Sequence, residues 1–374
     1  MLSDIRVIFV LENFVLGGAE RQASILARGL KERGCLVEVW AFAEGGPTTE
    51  ILERYGIPWR CVRHPLRGFA SPEEGLAGFG AELRRARPDL LLPYTLLPNI
   101  ACALVWRSAG ARLCIWNQSD AGTVRSDPQL ERRAVAQTPL FISNSVGGAE
   151  FLVQSLGVSR DLIRVIRNGV ELAAPVMDRA AVLRRLKIPD DSLVGCMIAN
   201  LHGDKDHVTL IKAWWLVADG LRHEASPPLL LLAGRDYHTQ APLQEFAQRL
   251  GLEKSVRFLG LIRSIPDLLT VVDVGVFSSR SEGCPNGVLE AMAAGKAVAA
   301  TDIPGIREAL GLDYPCLAPP GDHEGLAEAI LELFRRPELR ARLGRQNRRR
   351  IETEFTVPRM CEETASLIAE HLPA

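Results

Sequence analysis

Residues 278–295 read SSRSEGCPNGVLEAMAAG and lie between a short apolar run and a helix-forming sequence. Residues 273–277 predict a strand, and the helix is expected to begin at about Gly287. A glycine-rich turn at a helix start directs backbone N–H groups and the positive end of the helix dipole toward one point, which suits a phosphate. Glu282 falls in the turn and Glu290 about one turn inside the helix. Glu290 is thereby placed to bind the hydroxyls of a ribose and Glu282 those of a second sugar, so the stretch predicts a nucleotide-sugar site.

Short apolar runs alternate with amphipathic helical stretches on both sides of this segment. The runs that predict strands are 6–11, 36–42, 57–62, 90–93, 113–116, 140–143 and 163–166, followed by 193–199, 229–233, 256–259, 272–277, 297–300 and 316–317. Helical patterns such as 19–33 and 72–87 separate them. The alternation predicts an α/β fold with two parallel sheets that carry helices on both faces. Ligands of such sheets bind beyond the carboxyl ends of the strands, and we expect two such edges to face each other across a cleft.

Size and composition favour a soluble two-domain enzyme. The chain has 374 residues, of which 47% are hydrophobic and 24% charged, with a formal net charge of -1. That balance gives no global attraction to nucleic acid. The eight cysteines include no C-x-x-C pair, which favours free thiols in a reducing compartment and no zinc site. The apolar start, residues 5–11, is too short for a membrane span and lacks the features of a signal peptide, so we expect a cytoplasmic protein.

The join between the two domains is expected at about residues 171–175, which gives a first domain over 1–172 and a second over 173–355. The C-terminal part differs in composition from both. Its segment 338–350 is rich in arginine, at positions 340, 342, 345, 348, 349 and 350. A solvated face of a surface helix is the ordinary interpretation, and contact with anionic lipid head groups is the alternative.

Three further loops follow predicted strands. Gly17 and Gly18 open a long helix after the first strand, where they permit close approach of an anion or form a simple tight turn. Lys205 lies after the first strand of the second domain and is a natural point charge for a diphosphate, although an exposed turn lysine would look the same. Arg263 follows the strand at 256–259, where it would stack on a base or simply occupy an ordinary loop.

Several other chemistries lack a sequence signal. Asp204-Lys205-Asp206 matches the D-x-D metal motif, but the match is weak and a lysine separates the acids, so we assign no metal site. The sequence contains no H-E-x-x-H, G-x-S-x-G or P-loop motif, and the glycines at 17 and 18 are not a G-x-G-x-x-G fingerprint. Hydrolase, zinc-enzyme, NTPase and dinucleotide-binding functions are therefore not indicated.

These motifs together resemble glycosyltransferase family 4 over nearly the whole chain. The matching pieces, in family order and approximate spacing, are Gly17-Gly18-Ala19-Glu20, Asn168-Gly169-Val170, Lys205, Ala233-Gly234 and the block with Glu282 and Glu290 eight positions apart (E-x₇-E). The resemblance implies a GT-B fold, with two Rossmann-like domains and the active site between them. It also implies that a last helix, at about 356–374, crosses back to the first domain. The implied reaction is sugar transfer with retention of anomeric configuration, without a metal or other cofactor.

The resemblance also assigns roles to residues of this sequence. It implies that Glu290 binds the ribose, that Glu282 lies near the hydroxyls of the donor sugar, and that Glu282 and Lys205 are the catalytic residues. The amides of the loop, together with Lys205, would hold the diphosphate, whose developing negative charge they stabilise in place of Mg²⁺. The full set of expected donor-binding residues is Gly17, Gly18, Asn117, Asn200, Lys205, Arg263, Glu282, Gly283, Cys284, Asn286, Gly287, Val288 and Glu290.

Two positions depart from the family pattern. Many members have an arginine six positions or fewer before the lysine, and the matching place here is Asn200. Stabilisation of the diphosphate would then fall more heavily on Lys205 or Arg280. Many members also have a histidine after a strand in the middle of the first domain, where this sequence has Asn117 and Gln118. One of these amides would then bind the donor hexose.

The expected function is transfer of a hexose-type sugar from a nucleoside-diphosphate sugar, with UDP favoured over GDP, to a hydroxyl of a polysaccharide, lipid-linked or glycolipid acceptor. Two alternatives are a sugar-nucleotide epimerase of the same architecture and a non-catalytic sugar-nucleotide-binding protein. Residues 54–69 mix arginines with Trp59 and Phe69, either as a patch for peripheral contact with the inner face of the membrane or as a strand and loop with exposed arginines.

Overall fold

A computed structural model describes residues 2–122, 127–171, 173–224 and 226–372. The chain divides into two compact units. Unit 1 comprises Met1–Gly169 together with Thr356–Ala374, and unit 2 comprises Val170–Phe355. The division after Gly169 lies three residues before the join expected from the sequence at 172.

Unit 1 is built on a parallel sheet, seven-stranded over its described residues. Its strands are β1 (Arg6–Leu11), β2 (Leu36–Ala41), β3 (Trp59–Cys61), β4 (Leu90–Pro93), β5 (Leu113–Gln118), β6 (Leu140–Ser143) and β7 (Ile163–Val165). They lie in the order β3-β2-β1-β4-β5-β6-β7, so the chain reverses its direction of travel between β1 and β4. Strands β1, β4 and β5 are continuous apolar or buried runs because helices cover both faces of the sheet.

Helices surround this sheet, and one of them comes from the far end of the chain. They are α1 (Gly18–Lys31), α2 (Pro47–Arg54), α3 (Pro72–Ala86), α4 (Leu96–Val105), α5 (Pro128–Gln137), α6 (Val146–Leu156) and, at the end of the chain, α15 (Val357–His371). Helix α15 buries Met360, Cys361 and Ile368 in the core of unit 1. Gly29 on α1 permits the contact, because a Cβ there would lie 2.2 Å from the Cys361 sulfur. The C-terminal helix is therefore part of unit 1.

Unit 2 repeats the same plan with a parallel sheet that has six strands among its described residues. Its strands are β8 (Val194–Ile198), β9 (Leu229–Ala233), β10 (Val256–Gly260), β11 (Val274–Phe277), β12 (Ala297–Thr301) and β13 (Leu317–Ala318). Their order is β10-β9-β8-β11-β12-β13, so the reversal falls between β8 and β11. Gaps between neighbouring strands at such a reversal are where open α/β sheets bind ligands.

The helices of unit 2 pack on both faces of its sheet. They are α7 (Arg179–Leu186), α8 (His207–Gly220), α9 (Gln240–Arg249), α10 (Ile265–Val271), α11 (Asn286–Ala293), α12 (Pro304–Leu310), α13 (His323–Arg335) and α14 (Pro337–Glu354). Trp214 of α8 is fully buried and fits against β8 because Gly195 offers no side chain there. Its indole N–H donates to the Ser255 hydroxyl at 2.8 Å, so the polar atom of this core residue is satisfied.

The arginine-rich segment forms α14, and several of its arginines have local partners. Arg348 pairs with Glu352, and Arg350 pairs with Glu354, one helical turn apart in each case. In the part of the chain that the structure describes, each helix is too short or too polar to span a membrane. Contact of α14 with lipid head groups stays a prediction.

Candidate functional site

The residues singled out in unit 2 meet at the reversal between β8 and β11. One loop, residues 199–206, follows β8 and contains a short 3₁₀ turn, Gly203–Lys205. The other loop, residues 278–285, follows β11 and leads into α11. Both lie at the carboxyl edge of the sheet because parallel strands end on the same side.

Lys205 and Glu282 are in direct contact. The Lys205 ammonium donates to Oε1 of Glu282 at 2.5 Å, and the Ser279 hydroxyl donates to the same oxygen at 2.7 Å. The two charged side chains are 24% and 14% exposed, so most of the surface of each is shielded from solvent. The second carboxylate oxygen, Oε2, accepts no hydrogen bond from the residues that the structure describes. Glu282 is thus fixed through one oxygen and presents the other.

Further hydrogen bonds tie the two loops to each other. The Ser278 hydroxyl donates to the Lys205 carbonyl at 2.9 Å, and the Arg280 N–H donates to the Asp204 carbonyl at 2.8 Å. The Arg280 guanidinium donates through Nε to the buried carboxylate of Asp206 at 2.9 Å. These hydrogen bonds fix the two loops against each other, which is the condition for preorganised electrostatic stabilisation.

The end of the first loop is fixed by a helix cap. Asp206 has a left-handed backbone, with φ +46°, and its carboxylate accepts from the Thr209 N–H at 3.3 Å and the Thr209 hydroxyl at 2.8 Å. The next residue, His207, is buried at the start of α8. Burial, followed by the charge of Lys205, lowers the pKa of His207 to about 4, against the opposing effect of Asp206. His207 is therefore neutral at pH 7 and adds no charge to the site.

Glycines bring the two loops close to the sheet and to the neighbouring helix. A Cβ on Gly287 would lie 2.0 Å from the Ile198 carbonyl at the end of β8. A Cβ on Gly305, at the start of α12, would lie 2.2 Å from the Gly283 carbonyl and 2.4 Å from that of Glu282. Helix α11 begins at Asn286, one residue before the start expected from the sequence. The N-terminus of α11 packs closely against the end of β8. This contact places Val288, and the loop that precedes α11, at the edge of the sheet.

Glu290 lies one turn into α11 and is half-buried. Its charge acts on Cys196 of β8, where it adds to burial in raising the pKa of that thiol. Glu290 therefore lies near Cys196 of β8, one of the two strands at the reversal. The structure brings Lys205, Glu282 and Glu290 to one edge of one sheet, along with the backbone of residues 283–288.

Arg263 lies apart from this group. It follows β10, an edge strand, and both β9 and β8 stand between β10 and β11. Its side chain is exposed. Base stacking by Arg263 stays a prediction that no contact among the described residues supports.

Two of the three asparagines predicted to bind the donor, Asn117 and Asn200, already serve internal contacts. Asn200 accepts from the Arg235 N–H at 3.1 Å through its carboxamide oxygen. In unit 1, Asn117 is 5% exposed and donates to the carbonyls of Pro93 at 2.9 Å and Ile115 at 3.2 Å. Asn117 and Gln118 lie inside β5, which extends two residues beyond the strand expected at 113–116. The hydrogen bond of Asn117 to Pro93 joins β5 to β4. Binding of the nucleotide sugar by Asn117 stays a prediction.

Gly17 and Gly18 stand where the sequence placed them, after β1: Gly17 precedes α1 and Gly18 is its first residue. Gly17 caps α1, and a Cβ there would lie 2.4 Å from the Glu20 carboxylate. That neighbour is the flexible end of the Glu20 side chain, and a ligand contact of Gly17 stays a prediction. These residues belong to unit 1, at the carboxyl end of the strand next to its own reversal point.

Three of the four arginines of the 54–69 segment are engaged locally. The Arg60 guanidinium lies 3.7 Å above the Trp40 ring, and the Arg63 guanidinium lies 3.9 Å above the Phe69 ring. Arg67 pairs with Glu12 at 3.7 Å. These contacts suit a folded strand and loop, and membrane contact by this segment stays a prediction.

Sequence reasoning missed the residues that support the site. Ser279 holds Glu282, and the buried Thr301 donates to the Ser279 carbonyl at 2.6 Å from the end of β12. Asp206 was noted only as half of a D-x-D match, yet it anchors Arg280. Among the residues described, no group of three or more His, Cys, Asp or Glu side chains is arranged to hold a metal ion.

Two family models match consecutive parts of the chain. Glycosyltransferase Family 4 matches residues 16–174, and Glycosyl transferases group 1 matches residues 178–350. The chain belongs to glycosyltransferase family 4. The first match covers residues 16–169 of unit 1 and continues to residue 174 in unit 2. The second match contains the Lys205–Glu282 pair.

Two of three curated relatives with similar sequences are named as glycosyltransferases. The chain is 28% identical to the putative glycosyltransferase EpsD of Bacillus subtilis over 60% of this chain and 56% of that protein. It is 26% identical to mannosylfructose-phosphate synthase of Agrobacterium fabrum over 63% of this chain and 52% of that protein. The match thus spans about half the length of these relatives. The lipopolysaccharide core biosynthesis glycosyltransferase LpsE of Rhizobium meliloti is 27% identical over 76% of this chain and 77% of its own length.

Solved structures share the fold over nearly the whole chain. HepE of Anabaena in complex with UDP-glucose has a TM-score of 0.84 at 23% identity, covering 98% of this chain and 100% of that one. A glycosyltransferase of Rickettsia africae has a TM-score of 0.83 at 17% identity, covering 99% of each chain. The fold class predicted from the sequence, two Rossmann-like α/β domains of the GT-B type, is confirmed.

Proposed function

We propose that this protein is a retaining glycosyltransferase that transfers a sugar from a nucleoside-diphosphate sugar to a hydroxyl group without a metal ion. The observation that carries the proposal is the contact of Lys205 with Glu282 at the β8–β11 reversal, beside the N-terminus of α11 and Glu290. A cation, a helix start and two carboxylates at one sheet edge match the phosphates and hydroxyls of a nucleotide sugar.

Lys205 supplies the positive charge in this proposal. The bond from the anomeric carbon to the β-phosphate oxygen breaks, and negative charge collects on the departing diphosphate. The Lys205 ammonium has three N–H donors, of which Glu282 takes one, so the others can donate to the phosphate. A charge fixed in advance stabilises the leaving group without reorganisation during the reaction.

Glu282 orients the donor sugar. Because Lys205 and Ser279 both donate to Oε1, the carboxylate cannot rotate freely, and Oε2 is available to accept from a sugar hydroxyl. The acceptor oxygen then bonds to the anomeric carbon on the face that the diphosphate leaves, and its proton passes to the departing phosphate. Glu290, near β8, accepts from the ribose hydroxyls.

The comparisons favour UDP as the nucleotide and a carbohydrate or lipid-linked acceptor. HepE was solved with UDP and with UDP-glucose. One relative, 30% identical over 55% of this chain, is named for a diphospho-undecaprenol acceptor, and LpsE is named for the lipopolysaccharide core. We propose that the acceptor is a polysaccharide, a lipid-linked oligosaccharide or a glycolipid.

Two variants test the roles of the carboxylates. Glu290→Ala should weaken nucleoside-diphosphate affinity about ten- to a hundredfold, the worth of a hydrogen bond to a charged group. Glu282→Ala should not weaken that affinity but should suppress sugar transfer, because Glu282 acts on the sugar. Affinity is measured by calorimetry. Turnover is measured as release of UDP or GDP from the corresponding nucleotide sugar in the presence of EDTA.

The outcomes separate the alternatives. A folded Glu290→Ala protein with unchanged affinity would remove Glu290 from the site. Donor binding by the wild type without transfer or hydrolysis would indicate a non-catalytic binding protein. Formation of an epimerised nucleotide sugar without an acceptor would indicate an epimerase.

A further inference from the structure

The proposed donor site needs more positive charge than the Lys205–Glu282 pair provides. The two side chains neutralise each other, whereas a nucleoside diphosphate brings at least two negative charges to the same place. Three arginines follow strands at this sheet edge: Arg235 after β9, Arg263 after β10 and Arg280 after β11. Guanidinium groups bind phosphate oxygens through paired N–H donors, so each is a candidate.

Two of the three are poorly suited. Arg280 is balanced by Asp206, whose carboxylate is 2% exposed and has no other cationic partner among the described residues. Arg263 is exposed and follows the edge strand β10, with two strands between β10 and β11. Neither offers an unbalanced charge next to the reversal point.

Arg235 is in a different position. It follows β9, the immediate neighbour of β8, and it is half-buried. Its backbone is hydrogen-bonded, but within the described ranges its guanidinium takes part in no hydrogen bond or ion pair. A half-buried cation with no counter-charge is costly unless something anionic binds beside it.

The backbone of Arg235 is held against the loop that carries Lys205. Gly234 allows the approach, because a Cβ there would lie 1.9 Å from the Ala199 carbonyl. The carboxamide oxygen of Asn200 then accepts from the Arg235 N–H at 3.1 Å, and the Leu201 N–H donates to the Arg235 carbonyl at 2.8 Å. The arginine is therefore attached to residues 199–201, four positions before Lys205.

We infer that Arg235 is a second cation for the diphosphate of the donor, positioned by the side chain of Asn200. This inference rests on the proposed function and names a residue that the sequence motifs did not. It also accounts for Asn200 itself. The amide is not a ligand that replaces an arginine; it is the hydrogen-bond acceptor that sets an arginine of the next strand beside the phosphate.

The test compares a nucleotide that has the diphosphate with the nucleoside that lacks it. Calorimetric titration uses UDP and uridine, or GDP and guanosine if GDP is the tighter ligand. Arg235→Gln should weaken binding of the diphosphate about ten- to a hundredfold and leave nucleoside binding within about twofold. Arg235→Lys should recover only part of the loss, since a single ammonium replaces a two-pronged donor. Arg249→Gln, on the exposed face of α9, is the matched control and should change neither.

Asn200→Ala tests the positioning step. It should weaken diphosphate binding in a protein that has Arg235. In the Arg235→Gln background it should add little, because each change removes the contact of the Arg235 guanidinium with the phosphate. Diphosphate affinity of Arg235→Gln equal to that of the wild type would overturn the inference, as would an equal loss of uridine and UDP binding. A wild-type protein that binds none of UDP, GDP, ADP and CMP would contradict the proposed function and the inference with it.

Discussion

At the scale of single residues, the organising feature is that both donors to Glu282 converge on one oxygen. Lys205 is visible in the sequence as a charge after a strand, but Ser279 is not, because a serine in a serine-rich turn has no distinguishing mark. In the structure Ser279 is buried and Thr301 holds its carbonyl. The hydroxyl therefore has a fixed direction, toward the carboxylate.

Removing the Ser279 hydroxyl should let Glu282 rotate while Lys205 stays in place. For Ser279→Ala we expect sugar transfer to slow about ten- to a hundredfold, the worth of one hydrogen bond to a charged group, with nucleoside-diphosphate affinity unchanged. Steady-state rates and calorimetric affinities check the two parts. Ser281→Ala, an exposed serine of the same loop, is the control. Equal rates for the two variants would show that Ser279 does not position Glu282.

His207 makes the stability of unit 2 sensitive to acid. Its pKa in the folded protein is about 4, below the ordinary value of 6.5, so the unfolded chain takes up a proton at a higher pH than the folded chain does. Stability is thus present in full above pH 6.5 and is lost as the pH falls toward 4. The loss attributable to this one group is on the order of 3 kcal/mol.

The His207→Gln variant should lose less unfolding free energy than the wild type between pH 6.5 and pH 4, when urea unfolding is followed across that range. His223 is exposed, and His223→Gln should behave as the wild type does. A wild type and a His207→Gln protein with parallel pH profiles would show that His207 is not held neutral by burial.

A residue of the site could be predicted from the sequence where its position relative to a strand end or a helix start determines its role. Glu282, Glu290 and Lys205 stand at one sheet edge because strand ends and helix starts are visible in the sequence. Asn117 and Asn200 were harder to interpret, because an amide next to a strand end can bind a ligand or a neighbouring strand. The choice depends on contacts with Pro93 and Arg235, which are distant in sequence.

At the scale of elements, the strands could be located because buried parallel strands are short apolar runs bounded by polar turns. Strand β4 matches its expected bounds for that reason. Strand β5 runs two residues further than expected, because Asn117 and Gln118 are polar yet pair with β6. Such amides are buried because they form hydrogen bonds with distant parts of the chain, and the pattern of hydrophobic residues in the sequence does not predict this.

The contact between α11 and β8 depends on the absence of a side chain at Gly287. Gly287→Ala should destabilise the protein by about 3 kcal/mol, since its Cβ would meet the Ile198 carbonyl and the helix would have to move. Gly203→Ala is the control, because a Cβ there meets nothing within 4 Å, and the change should stay within about 1 kcal/mol. Urea midpoints provide the comparison, and equal midpoints for the two variants would contradict the close packing.

At the scale of the whole molecule, each unit has its own core, its own sheet and its own reversal of strand order. The chain returns to unit 1 through α15, whose apolar residues join a core formed by the first half of the sequence. The alternation of strands and helices was enough to predict two such units. The return of α15 to unit 1 was expected only from the family resemblance. An amphipathic pattern predicts a helix with one buried face but does not indicate which of the two units that face packs against.

The central claim is that unit 2 binds a nucleoside diphosphate at the Lys205–Glu282–Glu290 edge without a metal. The measurement that tests it most directly is calorimetric titration of the wild-type protein with UDP, GDP, ADP and CMP in the presence of EDTA. We predict saturable binding of one nucleoside diphosphate, UDP in preference to GDP, with the affinity reduced in Glu290→Ala. Absence of binding by all four nucleotides, in a protein shown to be folded, would contradict the account.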